Sequence, residues 1–340
     1  MELQVSFWDD KREMFNNAAP CLLQLCTDPF NYWWQAHAVD TLTDGYLRSG
    51  EDRYMELQAD LYQGILNRNA GVFPNDYYDD MEWMALAWLR AYEAVKTEAY
   101  KDTALLLWED IKTGWNEEGG GGIAWRKEQL DYKNTPANAP AAILAARLYQ
   151  AFGNDEDLEW AKRIYDWQKT TLVDPESGLV WDGMNRLGDG MVDTDWRFTY
   201  NQGVYIGAGV ELYKATGDKA YLADAARTVD YVLTHMTNPS TGMLPSEGDG
   251  DGALFKGVLV RYLGEYIRVE PEASSAQEVA KLITVNAESL WDFGRSTEAG
   301  KTFFSNSWAQ TPDQVVQLAT QLSGVMLLEQ AARLTDDKNQ

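Results

Sequence analysis

Histidine and cysteine are scarce in this chain, which has two of each in 340 residues. With only His37 and His235 available, neither a histidine acid/base pair nor a Cys/His zinc centre has much to draw on. Cys21 and Cys26 form neither a CxxC clip nor a zinc pattern, and on the single helix expected there they read as reduced core thiols. Long apolar runs are also missing. None approaches the roughly 18 residues that a membrane span needs, and the opening MELQVSFWDDKRE lacks the basic-then-apolar order of a signal peptide. The expectation is no membrane span, with the chain as written either cytoplasmic or already processed for secretion. Positive charge is the third scarcity: 29 Lys and Arg stand against 53 Asp and Glu, a formal net charge of −24. That balance opposes phosphate backbones, so nucleic acid is not an expected partner, whereas a neutral substrate is compatible with it.

Aromatic residues, by contrast, are plentiful, with 14 Trp and 18 Tyr. Broad helical packing would use them, and so would a cleft lined with rings. Amphipathic helical spacing recurs along almost the whole chain and alternating β-branched runs are rare, which predicts an all-α fold. A loose phrase repeats: an apolar helix ending in Tyr, a short polar or Gly-containing turn, then a second helix. Copies centre on Tyr46, Tyr92, Tyr149 and Tyr213, with a degenerate one near Tyr262. Each is a helical hairpin. The predicted helices are 8–25, 34–48, 52–67, 80–95, 98–114, 136–152, 155–171, 203–216, 219–236, 252–268, 274–292 and 312–334. Six hairpins in one domain, 1–340, close into a ring if the last helix pairs with the first. The irregular stretches 115–135, 172–200, 238–251 and 293–311 then collect at one rim, where loops on a rigid scaffold carry sites.

One of these rims receives NDYYDDMEW, with Asp79 and Asp80 side by side at a predicted helix start after Tyr77 and Tyr78. Acids in a first turn complement the exposed amides and the helix dipole, so capping explains one of them locally. Two acids beside rings suit glycoside cleavage, in which one carboxylic acid protonates the leaving oxygen and one carboxylate meets the developing cation, about 5–5.5 Å apart for retention. Two carboxylates that close also push one proton affinity up, separating the two roles. The residues alone do not order the roles within the pair.

The blocks NYWWQAHAVDTLTDGYLRSG, NDYYDDMEWMALAWLRAYE, KNTPANAPAAILAARLY, FTYNQGVYIGAGVELYKATG and GDGDGALFKGVLVRYL together resemble bacterial glycoside hydrolase family 76, which contains endo-α-1,6-mannanases. The likeness runs from Trp33 to Arg261, with a weaker tail through Trp308 and Gln310. It implies an (α/α)6 barrel, cleavage of α-1,6-mannan with retention through a glycosyl-enzyme intermediate, Asp79 as nucleophile and Asp80 as general acid/base. It implies no metal and no organic cofactor, and a carbohydrate partner, α-mannan or a mannooligosaccharide.

Around the pair, Trp33 and Trp34 read as one wall residue and one sugar platform, in either order, and Tyr78 as a further ring near the substrate. Asp40, further along the same helix, reads as structural. Asn138 lies near a helix start, where capping and cleft roles compete, and the resemblance favours the cleft. Thr199, Tyr200, Asn201 and Gln202 combine donors, acceptors and a ring suited to hydroxyl recognition. The Gly- and Asp-rich segment before Ala253 completes neither a phosphate loop nor an EF-hand. By resemblance it is a rim loop that brings Asp249 and Asp251 to the substrate, with Lys256 or Arg261 pairing with acids. His37 reads as a core or rim residue. Hydrolysis leads; transfer of the glycosyl unit to a sugar hydroxyl and non-catalytic glycan binding are the alternatives, and a sugar isomerase ranks below them for want of histidines.

Overall fold

Tyrosine carbonyls end five of the helices in the computed structural model, which describes residues 2–21 and 26–337. Among the described residues there are twelve α-helices: α1 (Glu2–Phe7), α2 (Tyr32–Ser49), α3 (Arg53–Arg68), α4 (Tyr78–Val95), α5 (Glu98–Lys112), α6 (Ala139–Phe152), α7 (Asp155–Thr171), α8 (Thr199–Thr216), α9 (Lys219–His235), α10 (Gly252–Val269), α11 (Ser274–Asp292) and α12 (Leu318–Asp337). The capping N–H of α2, α4, α6 and α8 bonds to the carbonyl of Tyr46, Tyr92, Tyr149 and Tyr213, the residues of the repeated phrase. In α10 the acceptor is Tyr266 rather than Tyr262. Two turns show how the phrase works. Gly153 and Gly217 end α6 and α8 at φ 70° and 74°, a left-handed conformation that glycine adopts without strain. The next residues, Asn154 and Asp218, then cap α7 and α9 by accepting the N–H of Glu156 and Ala220.

The even-numbered helices form the inner ring. Each packs on the next, α2 on α4, α4 on α6, α6 on α8, α8 on α10 and α10 on α12, and α12 returns to α2. The architecture is an (α/α)6 barrel. Inner helix α8 is buried continuously from Thr199 to Leu212, whereas outer helix α9 buries one stripe, Leu222, Asp224, Ala225, Thr228, Val229 and Val232.

The sixth hairpin departs from the predicted one. Helix 8–25 does not form; α1 is short and is followed by β1 (Trp8–Asp9), β2 (Met14–Phe15) and β3 (Ala18–Ala19). Asp9 accepts the N–H groups of Lys11 and Arg12, a local bond that competes with the helical ladder, and Gln35 holds both the N–H and the C=O of Phe15. Cys21 and Cys26 are correspondingly not reduced thiols on a helix. They form a disulfide, their Cα atoms 5.8 Å apart, and residues 22–25 between them lie outside the described part.

Three of the stretches read as irregular contain short strands: β4 (Ala124–Arg126), β5 (Gln129–Asn134), β6 (Gly183–Met184), β7 (Arg295–Glu298) and β8 (Lys301–Phe304), followed before α12 by β9 (Val316–Gln317). Strand β9 pairs with β3, joining the two ends of the chain and delaying α12 to Leu318. Strands β4, β5 and β6 form one antiparallel sheet, and a bridge from Tyr77 to Arg126 ties it to the start of α4.

Deep in the ring, Asp40 and Asp44 of α2 meet Arg90 of α4 and Arg261 of α10, and Arg333 of α12 adds a third guanidinium to Asp44. The arginines hold both carboxyls below the ordinary range against the opposing effect of burial. Arg261 thus pairs with acids. Lys256 does not: its ammonium lies 4.0 Å from the Trp308 ring and has no hydrogen-bond partner among the described residues.

Candidate active site

The starts of the inner helices converge on one rim, and there they enclose a cavity of about 650 Å³, within the usual span of ligand sites. Trp33 of α2, Asp79, Asp80 and Trp83 of α4, Tyr200 of α8, Asp251 just before α10 and Phe255 within it line it. The sheet adds Trp125, Gln129, Tyr132 and Asn134, the following loop adds Asp182, Arg186, Trp196 and Phe198, and Phe30, Asn31, Tyr32, Tyr77 and Pro136 complete the wall.

Both aspartates lie in the first turn of α4, half-buried. Asp79 spends one oxygen on the N–H of Asp80, at 2.9 Å, and the other on the indole N–H of Trp125, at 3.1 Å. The first bond satisfies one of the free amides of the first turn, although no side chain caps α4 at Tyr77; the second turns the carboxylate towards the sheet wall. Asp80 accepts a single, longer bond, 3.3 Å from the Asn75 amide, whose carbonyl in turn takes the N–H of Tyr77. No ion pair joins either aspartate to a Lys or Arg among the described residues. Withdrawal from water pushes Asp79 up to about 7, and the charges of Asp251 and Asp182 add to that, while its two hydrogen bonds pull the other way. Asp80, desolvated and beside Asp79, is raised well above the usual carboxylate range, with only the Asn75 amide to offset it. Glu82, one turn along and fully buried, is likewise raised by burial.

Asp182 was not singled out by the sequence. It is almost fully buried and accepts from Tyr132 at 3.1 Å, Tyr200 at 3.3 Å and Asn201 at 3.0 Å, so three donors hold its carboxyl at the cavity wall. Asp251 accepts the indole N–H of both Trp33 and Trp34 at 2.9 Å, which pins the rim loop to α2. Trp33 therefore faces the cavity, while Trp34 is the wall residue.

Several other residues expected at the substrate do not line the cavity. Tyr78 is buried with its hydroxyl 3.3 Å from Thr113. Asn138 spends its amide on the backbone of Ile123 and Asn134. Gln202 does the same with both backbone groups of Val180 and with Phe198. Thr199 binds Glu247, and Asn201 binds Asp182. These polar helix starts register the loops: Asn138 sets the strand that carries Trp125, and Gln202 sets the segment that leads to Asp182. Asp249 turns to a separate pocket, bonding Asn306 at 2.8 Å. His37 packs between Trp33 and Trp83, and burial depresses it to about 3, so it is neutral at ordinary pH. His235 ends the outer helix α9, stacked on Tyr231.

A ringed cavity with two adjacent carboxylates, unequally hydrogen-bonded and paired with no cation among the described residues, can protonate a leaving oxygen and attack or stabilise a cationic carbon. Comparison with known proteins agrees with that chemistry. Residues 4–339 match glycosyl hydrolase family 76. The GH76A α-1,6-mannanase of Salegentibacter sp. HEL1_6 superposes with a TM-score of 0.91 and 41% identity, covering 98% of this chain and 96% of that one. An inactive variant of that enzyme, with two consecutive aspartates replaced by asparagine and in complex with α-1,6-mannotriose, matches with a TM-score of 0.90 and 40% identity over 98% and 96% of the two chains. A putative mannan endo-1,6-α-mannosidase of Schizosaccharomyces pombe is 26% identical over 266 residues, 71% of this chain and 60% of that protein. The chain spans about 60% of the length of the curated relatives it first matches. It belongs to glycosyl hydrolase family 76.

Proposed function

We propose that this protein cleaves α-1,6-mannosidic bonds within mannan or mannooligosaccharides by double displacement. The observation that carries the reading is the unequal hydrogen bonding of the adjacent pair: two donors on Asp79, one long donor on Asp80. Asp79 is the carboxylate that attacks the anomeric carbon, while Asp80 delivers its proton to the departing glycosidic oxygen. Asp80, now ionised, takes a proton from water, and that water displaces Asp79 from the sugar. Configuration is retained after the two inversions. Asp182 and Asp251 accept sugar hydroxyls, and Trp33, Trp125 and Tyr200 offer ring faces to the C–H faces of the pyranoses. The inactivity of the Salegentibacter variant with both consecutive aspartates replaced supports the assignment of the pair. The Cys21–Cys26 disulfide supports work in an oxidising compartment.

The test is incubation with unbranched α-1,6-mannan followed by NMR of the newly formed reducing ends. The reading expects internal cleavage with α-anomers formed first. No cleavage, or β-anomers first, overturns it, and chain-lengthened products in excess of shorter ones indicate transfer instead of hydrolysis.

A further inference from the structure

One series of aromatic rings leaves the reaction centre and ends in solvent. Tyr200, bonded to Asp182, stacks on Phe255 at 3.9 Å with the planes 2° apart; Phe255 meets Phe198 at 5.3 Å; Phe198 meets Trp196 at 5.7 Å. Exposure grows along the series, from Tyr200 at 8% through half-buried Phe255 and Phe198 to Trp196 at 38%. Packing accounts for the inner rings. It does not account for an indole left open at the mouth of a polar cavity.

The support under Trp196 is built rather than loose. The Arg186 guanidinium lies 4.3 Å over the indole and is itself held by Asp193 at 3.1 Å. The loop between them is closed by bonds from the N–H of Asn185 to Met191, of Gly190 to the Asn185 side chain and of Asp193 to Gly183, each 2.8 Å, and the Asn185 amide reaches Asp131 on β5 at 3.0 Å. Arg186 is the one guanidinium among the described residues lining the cavity. A flat apolar face beside fixed N–H donors matches a hexose, which has an apolar C–H face and acceptor hydroxyls.

We propose that Trp196 and Arg186 form a distal saccharide subsite, which engages a mannosyl residue of the α-1,6 chain remote from the bond being cleaved. The identity of the saccharide rests on the proposed function. Substrates long enough to reach the mouth gain this contact and short ones do not, so the pair selects for chain length. Nothing in the reaction at Asp79 and Asp80 requires either residue.

The experiment compares wild type with Trp196→Ala and Arg186→Gln, taking kcat/KM on α-1,6-mannan relative to the shortest oligosaccharide that is cleaved. The ratio should fall about tenfold for Trp196→Ala, through KM, and by less for Arg186→Gln. Calorimetry on the Asp79→Asn/Asp80→Asn protein, with and without Trp196→Ala, should show the same loss of affinity for long oligosaccharides over short ones. An unchanged ratio in both assays, or equal losses at both lengths, overturns the subsite. Failure of wild type to cleave any α-1,6-mannoside refutes the parent reading alone, and the binding comparison, which needs no turnover, still decides the subsite.

Discussion

Two pairs of aspartates lie within the same ring of helices and behave in opposite ways. Asp40 and Asp44 sit deep on α2 and meet three guanidiniums, Arg90, Arg261 and Arg333. Asp79 and Asp80 sit at the rim, in the first turn of α4, and meet an indole, a backbone N–H and an amide, with no cation paired to them among the described residues. Desolvation raises all four, being the largest influence on each. The arginines reverse it at depth, so Asp40 and Asp44 stay ionised and structural. Without them burial leaves both carboxyls of the rim pair raised, the direction that acid/base work needs. Position in a helical ring thus says little about an acid's role; its nearest cations say a great deal.

The contrast can be broken at either end. The largest effect is expected on activity: Asp79→Asn or Asp80→Asn should each lower kcat by about 10⁴-fold or more while the circular dichroism spectrum stays that of wild type. At depth the same logic concerns stability. Arg261→Met leaves Asp40 and Asp44 short of a partner, and urea unfolding should show a loss of about 3–5 kcal/mol, the usual cost of an uncompensated buried charge. Smaller, and opposite in sign at the two ends, is the dependence of stability on pH. Asp40 and Asp44 are held low in the fold, so their contribution is present above an unfolded value of about 3.9 and disappears as pH falls through their folded values. Asp79 is held high, so its contribution is full below about 3.9 and is lost as pH rises through about 7. Asp79→Asn should therefore be more stable than wild type at pH 8 and gain nothing at pH 3.5; the reverse pattern in urea midpoints would contradict the electrostatic account.

Much of the ring was legible in the sequence because it is built from local rules. Tyr46, Tyr149 and Tyr213 lead to glycine at the ends of α2, α6 and α8, Asn154 and Asp218 cap the starts of α7 and α9, and eleven of the twelve expected helices have counterparts. The failure at residues 8–25 is also local. Asp9 accepts from the N–H groups two and three residues after it and Gln35, far along the chain, takes over Phe15, and neither event leaves a periodic trace. In the site, Asp79 and Asp80 stood out as neighbours in a first turn. Asp182 and Trp125 did not, since each is a single residue within an irregular stretch and reaches the cavity only through a sheet formed by segments some fifty residues apart. The polar blocks at the starts of α6 and α8 were visible as chemistry, but Asn138 and Gln202 turn that chemistry on the backbone of those loops. Only the folded chain shows that they place Trp125 and Asp182.

In the proposed mechanism it is Asp79, not Asp80, that bonds to the sugar. The most direct measurement of this is trapping with an activated, fluorinated α-1,6-mannooligosaccharide donor, followed by proteolysis and mass spectrometry of the labelled peptide. The predicted result is one glycosyl group on Asp79; a glycosyl group on Asp80 would contradict the account.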